Sequence, residues 1–320
     1  MLDNFDPTKI VNFSSERALF ERLLHFSDDR RILTITEERS GFGKTSLIKK
    51  MRHICISQDY PVSLIQLGSE EALSPYILAK HIVRELKNKV EFTQFNAIDD
   101  ALELNDLAAL QPYLQNQGVR GEVQVNKIES GAENNQVASF IYNDNRHHIS
   151  LDDETKNIAS SLLNSPITPE RKTIIYRQAL KIFLDEIEKY LKKYRKPVVL
   201  LFDAYEKCSL ELQKWILADL IAPLYFKTNR LPKRLLMVFA GQQVPKLDHE
   251  FPQERCDKIV HKIPELSSWT EKDLIFCLNQ YNVDKDGLEI TAGSFHNLML
   301  SMKLSPLDVI TLIESKHDQR

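Results

Sequence analysis

Lys44 and Thr45 stand directly behind two closely spaced glycines in the run Ser40-Gly41-Phe42-Gly43-Lys44-Thr45-Ser46. Residues of these types, in this order, are suited to holding a chain of phosphates. Small residues let the backbone curl until its N–H groups converge on the anion. A lysine supplies charge to the β- and γ-phosphates, and a hydroxyl at the start of the next helix supplies a ligand for Mg²⁺. On this reading Ser40, Gly41, Phe42, Gly43, Lys44, Thr45 and Ser46 bind a nucleotide, and Thr45 also binds the metal. In the strict loop pattern a further glycine would stand at Glu38. A carboxylate there, unless turned away, would oppose a phosphate about 6 Å off by about 1 kcal/mol or more. The plain alternative is a strand-to-helix turn that happens to contain Gly-Lys-Thr.

A second constellation favours the chemical reading. Residues 198–203, Val-Val-Leu-Leu-Phe-Asp, are apolar without alternation, as in a central strand covered on both faces. Asp203 closes that strand, where ligands bind in open α/β sheets. It is a candidate Mg²⁺ ligand acting through water. Glu206, three residues on, is a candidate general base for an attacking water, and the two form the proposed catalytic pair. Gln242, or Gln243 beside it, follows the next strand and could sense the γ-phosphate by hydrogen bonding. Arg230, Lys233 and Arg234 precede that strand; surface solvation is the simpler role for them than an arginine finger. His147 and His148 read as loop residues, and Trp215 and Trp269 as core.

Elements to position these groups are legible. A strand over 31–36 enters the loop, and a helix over 44–56 leaves it with Leu47, Ile48, Met51 and Ile54 at helical spacing. An earlier helix opens at Ser14 or Ser15. A strand over 62–67 and a helix opened by Ser74-Pro75 follow. Alternation of strand and helix predicts an α/β fold, a parallel sheet flanked by helices. Residues 90–165 are polar and less periodic, and read as an insertion: a short helix over 106–114 and strand-like pieces over 122–128 and 137–142. Thr168-Pro169 restarts the core with a long helix to about Tyr194. Ser209 caps another helix whose end Pro223 disturbs, and 235–240 is a strand. Beyond 246 one short strand over 259–263 precedes three expected helices, a helical lid. The expected division is an N-terminal arm and first helix over 1–28, a nucleotide-binding core over 29–245 and a lid over 246–320.

The 320 residues suffice for one large core with an appendage. A net charge of −3 argues against a protein whose main task is coating nucleic acid. Cys55, Cys208, Cys256 and Cys277 are far apart and form no Cys-x-x-Cys pair, against a zinc site or disulfide framework. Neither a signal peptide nor a membrane span is read, so the expected location is cytoplasmic.

Four stretches together resemble the STAND class of P-loop ATPases, the signal-transduction ATPases with numerous domains, related to AAA+ and origin-recognition ATPases. They are residues 10–20 ahead of and within the first helix, 40–45, 198–206 with the Trp215 helix, and 239–241 with 263–274. The resemblance implies a five-stranded parallel ATPase sheet with a helical lid. It also implies ATP as ligand with Mg²⁺, and slow hydrolysis coupled to conformational change, oligomerisation or control of a protein partner or effector. Prokaryotic defence or stress signalling is an expected setting. Phe13 stands where relatives usually carry arginine, Glu38 replaces a loop glycine, and Gln242 stands where arginine is frequent. These departures keep a non-hydrolysing scaffold as the alternative. A nucleic-acid-associated AAA+ ATPase is the second, which the acidic balance opposes.

Overall fold

Five short apolar runs build the sheet: β1 (Ile32–Thr36), β2 (Val62–Gln66), β3 (Val198–Asp203), β4 (Leu235–Gly241) and β5 (Val260–Ile263). In this computed structural model the described residues are 13–25, 27, 29–116, 151–164, 167–194, 196–226, 234–267 and 269–280, with Ser294, His296, Asn297, Ser305 and Asp308. The strands lie in the order β2-β3-β4-β1-β5, every pair parallel. β3 and β4 are buried at every position, which explains why neither alternates. Register aligns the carboxyl ends: Thr36 lies opposite Gly241, and Gln66 opposite Asp203. Because β4 separates β1 from β3, the turn after Gly241 sits between the Lys44 loop and the tip carrying Asp203.

The helices, in chain order, are α1 (Ser14–Leu24), α2 (Lys44–Ser57), α3 (Pro75–Leu86), α4 (Thr93–Asn116), α5 (Asp153–Asn164), α6 (Pro169–Lys193), α7 (Leu210–Trp215), α8 (Leu247–Glu250), α9 (Gln253–Ile259) and α10 (Glu271–Gln280). The contacts divide the chain into two compact units. One comprises Met1–Leu86 with Tyr194–Arg320, and the other Lys87–Lys193. In the sheet unit, α2 buries Leu47, Ile48, Met51 and Ile54 in one core with Leu33, Ile35, Val199, Leu201 and Val238, joined by Leu19, Phe20, Leu23 and Leu24 of α1. Phe202 and Phe239 stack across β3 and β4 with ring centroids 4.6 Å apart. The edge strand β2 is covered by α3: Leu64 N–H donates to Glu85 Oε2 at 2.6 Å, and His81 Nε2 lies 3.1 Å from the Leu64 carbonyl.

The second unit is helical among its described residues. Phe92 and Phe95 pack on Phe183. The Glu186 carboxylate accepts from the N–H groups of Gln94 and Phe95 at 2.8 and 3.1 Å. It thus caps a helix about 90 residues earlier in the chain, and α4 starts well before the 106–114 helix read from sequence. Asp152 accepts from Thr155 N–H at 2.8 Å, so the acidic run around 152–154 is a helix start. The expected strand-like pieces at 122–128 and 137–142, His147 and His148, Arg230 and Lys233, and most of the expected helices beyond 281 lie outside the described residues.

The first helix opens at Ser14, as expected, behind a left-handed Phe13 at φ 64° and with no side-chain cap. Pro223 disturbs the end of its helix, as expected: beyond Trp215 the chain leaves α geometry for a π-helical stretch, Ile216–Phe226, that contains the proline. Two short helices, α8 and α9, precede β5.

Candidate nucleotide site

The loop between β1 and α2 begins with a buried carboxylate. Glu37 is 3% exposed, and its backbone N–H donates to the Gly241 carbonyl at 3.2 Å. Its side chain accepts from the Arg39 N–H at 3.1 Å and from the Arg39 guanidinium at 2.8 and 3.1 Å. The Leu266 backbone amide also hydrogen-bonds with it. Burial raises the pKa of Glu37, but these bonds and the Arg39 charge outweigh it and hold the carboxyl below its ordinary value. Arg39 continues to Glu265 at 2.8 Å, and its guanidinium carbon lies 3.8 Å from the centroid of the Phe42 ring.

Glu38, in contrast, is exposed, and its φ is not positive, so its position makes no demand for glycine. The left-handed positions are Gly41, at φ 79°, and Gly43, at φ 91°. A Cβ on Gly43 would come within 2.8 Å of the Phe13 ring. Phe13, 2% exposed, therefore packs against the turn immediately ahead of Lys44.

Lys44 Nζ donates to the carbonyls of Glu37 and Arg39 at 2.5 and 2.9 Å. Burial depresses its pKa, and the charges of Glu37, Glu206 and Asp203 pull only part of the way back. The Thr45 hydroxyl hydrogen-bonds with the Asp203 carboxylate, which also accepts from the Ala204 N–H at 3.0 Å. Asp203 is 4% exposed; its pKa is raised by burial foremost and by nearby Glu206, against the lowering effect of Thr45, Ala204 and Lys44. Ala204 is left-handed at φ 57° and starts the turn Tyr205–Lys207. That turn brings Glu206 Oε2 to 2.9 Å from the Gln242 N–H. A Cβ on Gly241 would lie 2.5 Å from the same oxygen and closer still to the Gln243 carbonyl. Glycine is therefore required there by space.

Lys44, Thr45, Asp203 and Glu206 are thus brought together at the carboxyl end of the sheet. Gln242 joins them through its backbone; its side chain is exposed. Ser40 is exposed, while Gly41, Phe42 and Ser46 are partly buried. Arg234 donates to the Tyr194 carbonyl, a structural contact. The donor set suits Mg²⁺. Thr45 and Asp203 offer hard oxygen only, and Mg²⁺ sites typically take one or two protein ligands with phosphates and water. No cluster of three or more His, Cys, Asp or Glu occurs among the described residues, so a metal held wholly by such side chains has no support there.

No family model and no curated protein matches the chain. Among solved structures it is similar to the Aeropyrum pernix ORC2 protein in its ADP form, at 13% identity and TM-score 0.42. The ORC2 protein in ADPNP-ADP complexes gives 14% identity and TM-score 0.41. Each match covers 87% of this chain and 54% of the other, so this chain spans about half the length of the ORC2 protein. The parallel sheet with its β1–loop–α2 unit has a plain name. It is an α/β P-loop NTPase fold.

Sequence reasoning missed Glu37, Arg39 and Glu16. The Glu16 carboxylate is buried. Its Oε1 accepts from Ser267 N–H at 3.0 Å and from the Ser267 hydroxyl at 2.7 Å, and its Oε2 accepts from Ser15 at 2.7 Å. Burial raises its pKa, yet these donors lower it overall. A short-range signal existed for Glu37 and Arg39, since a glutamate can accept from the amide two residues on. Nothing local pointed to Ser267.

Proposed function

We propose that this chain is an ATP-binding regulatory switch of the STAND type, with slow hydrolysis coupled to rearrangement of the segments flanking the site. The observation that carries the reading is the contact between the Thr45 hydroxyl and the buried Asp203 carboxylate, with the Lys44 ammonium beside them. A mere strand-to-helix turn would have no reason to bury an aspartate at the adjoining strand tip. Lys44 gives two of its three N–H donors to the carbonyls of Glu37 and Arg39, and the third would take a phosphate oxygen, which is favourable for a cation already partly removed from water. Thr45 and, through water, Asp203 would hold Mg²⁺, which would neutralise charge on the phosphates. Glu206 is the group to accept a proton from attacking water, and its hydrogen bond to Gln242 N–H holds it in position beside β4. The core, insertion and lid division read from the sequence, a protein partner or effector, and self-association belong to the same proposal.

Binding and turnover of Mg-ATP, measured side by side on the wild type, Lys44→Ala and Glu206→Gln, test it. The expected result is binding in the wild type and Glu206→Gln, lost binding in Lys44→Ala, and turnover in the wild type only. No binding by folded wild type rejects the reading. Binding without turnover in the wild type selects the non-hydrolysing scaffold, an alternative motivated by the departures at Phe13, Glu38 and Gln242. The nucleic-acid-associated reading has no observation in its favour beyond the resemblance.

A further inference from the structure

The segment that follows β5 has no regular structure at residues 264–267, yet two of its amides are held by carboxylates from remote parts of the sequence. Leu266 bonds to Glu37, at the mouth of the phosphate loop. Ser267 bonds to Glu16, on α1, through both its N–H and its hydroxyl. Glu265, between β5 and these two residues, takes the outer face of Arg39 at 2.8 Å. The inner face of Arg39 is chelated by Glu37, and the carbonyls of Glu37 and Arg39 are the two acceptors of Lys44 Nζ. One chain of hydrogen bonds therefore runs from the lysine through Glu37 and Arg39 to 265–267, and on to α1. Three residues later Thr270 caps α10: its hydroxyl oxygen accepts from Asp273 N–H at 3.3 Å, while its own N–H and hydroxyl donate to the Asp273 carboxylate at 2.7 Å.

We propose that Arg39 and Glu37 form a clasp that couples nucleotide at the loop to residues 265–267, and so to the start of α10. Arg39 is a positioning residue: it touches Lys44 through its carbonyl and the far segment through its guanidinium. The inference rests on nucleotide binding at Lys44 and names how that site is read out. Phosphate bound to the loop fixes the backbone on which Arg39 and Glu37 stand. Fixing one end of a hydrogen-bonded chain reduces the opening of the other end, and the coupling is reciprocal.

Hydrogen exchange of the full chain, followed on peptides spanning 264–267 with and without saturating Mg-ATP, tests the clasp. In the wild type the nucleotide should slow exchange there about fivefold. In Arg39→Ala, saturated with its own higher or lower concentration of Mg-ATP, the slowing should fall below about twofold, while amides of β3 and β4 keep their wild-type protection. Equal slowing in wild type and variant overturns the clasp. So does a wild type that binds Mg-ATP with no change at 264–267, a result that leaves the nucleotide reading standing. Failure of the wild type to bind Mg-ATP removes both. Should Arg39→Ala not fold, Glu265→Ala applies the same criterion from an exposed position outside the loop, with diminished slowing expected and wild-type slowing overturning the proposal.

Discussion

At the scale of single residues, the site depends on a few positions where space or conformation admits little variation. Gly241 is the sharpest case. Its missing side chain leaves the room in which Glu206 Oε2 meets the Gln242 amide. Gly241→Ala should displace the Glu206 carboxylate and lower ATP turnover by about 10²-fold, the usual scale for losing a placed general base, with Mg-ATP affinity retained. Steady-state turnover set beside a binding isotherm checks this; a variant with wild-type turnover would remove Glu206 from the mechanism. The positions proposed to meet phosphate were legible in the sequence, because Gly41, Gly43, Lys44 and Thr45 are close neighbours in the chain. Asp203 was legible from the strand it ends. Glu37 was not, because its value lies in Leu266 and Arg39 rather than in any motif. Glu38, the carboxylate that the loop pattern singles out, has an exposed side chain, whereas Glu37 is buried.

At the scale of elements, apolar runs without alternation were sufficient to mark β3 and β4, and Ser209 to mark the start of α7, where its hydroxyl accepts from Leu212 N–H at 3.3 Å. What failed was structure created by distant partners. α4 opens on a carboxylate from α6, and no local pattern announces a cap supplied that way. The same lesson applies to the sheet edge. Glu85 of α3 accepts from Leu64 N–H through one oxygen and from Arg52 at 2.8 Å through the other. A salt bridge at that partly exposed arginine contributes little, but the strand amide has no sheet partner on that side. Glu85→Ala should therefore cost about 2 kcal/mol, the scale of leaving a strand amide unsatisfied, rather than the few tenths expected of a surface ion pair. Urea unfolding compares the two: Arg52→Ala should be the milder of the pair, and equal losses would mean that the edge bond is not what Glu85 contributes.

At the scale of the whole chain, buried carboxylates divide into two kinds with opposite responses to pH. Glu16 and Glu37 of the sheet unit are held below the ordinary glutamate value of 4.5 by their donors. Their contribution to stability is fully present above pH 4.5 and is lost as pH falls through their lowered folded values. Glu186 of the helical unit, like Asp203 of the sheet unit, is raised, burial outweighing its hydrogen bonds. A raised carboxyl favours the protonated folded state, so its contribution is fully present below the unfolded value and is lost as pH rises through the folded one. The helical unit should then weaken as pH rises above 4.5 through Glu186, while acid weakens the sheet unit through Glu16 and Glu37. Substitution separates these effects. Glu16→Gln should flatten the acid limb of stability against pH, and Glu186→Gln should flatten the limb above pH 4.5, each leaving the other limb intact. Denaturant unfolding at a series of pH values, with hydrogen exchange in α4 and in β3 reporting the two units separately, reads both slopes. An unchanged acid limb in Glu16→Gln would mean that the bonds to Ser267 do not outweigh burial, and the tie between α1 and the segment after β5 would have to be held by something other than that carboxylate.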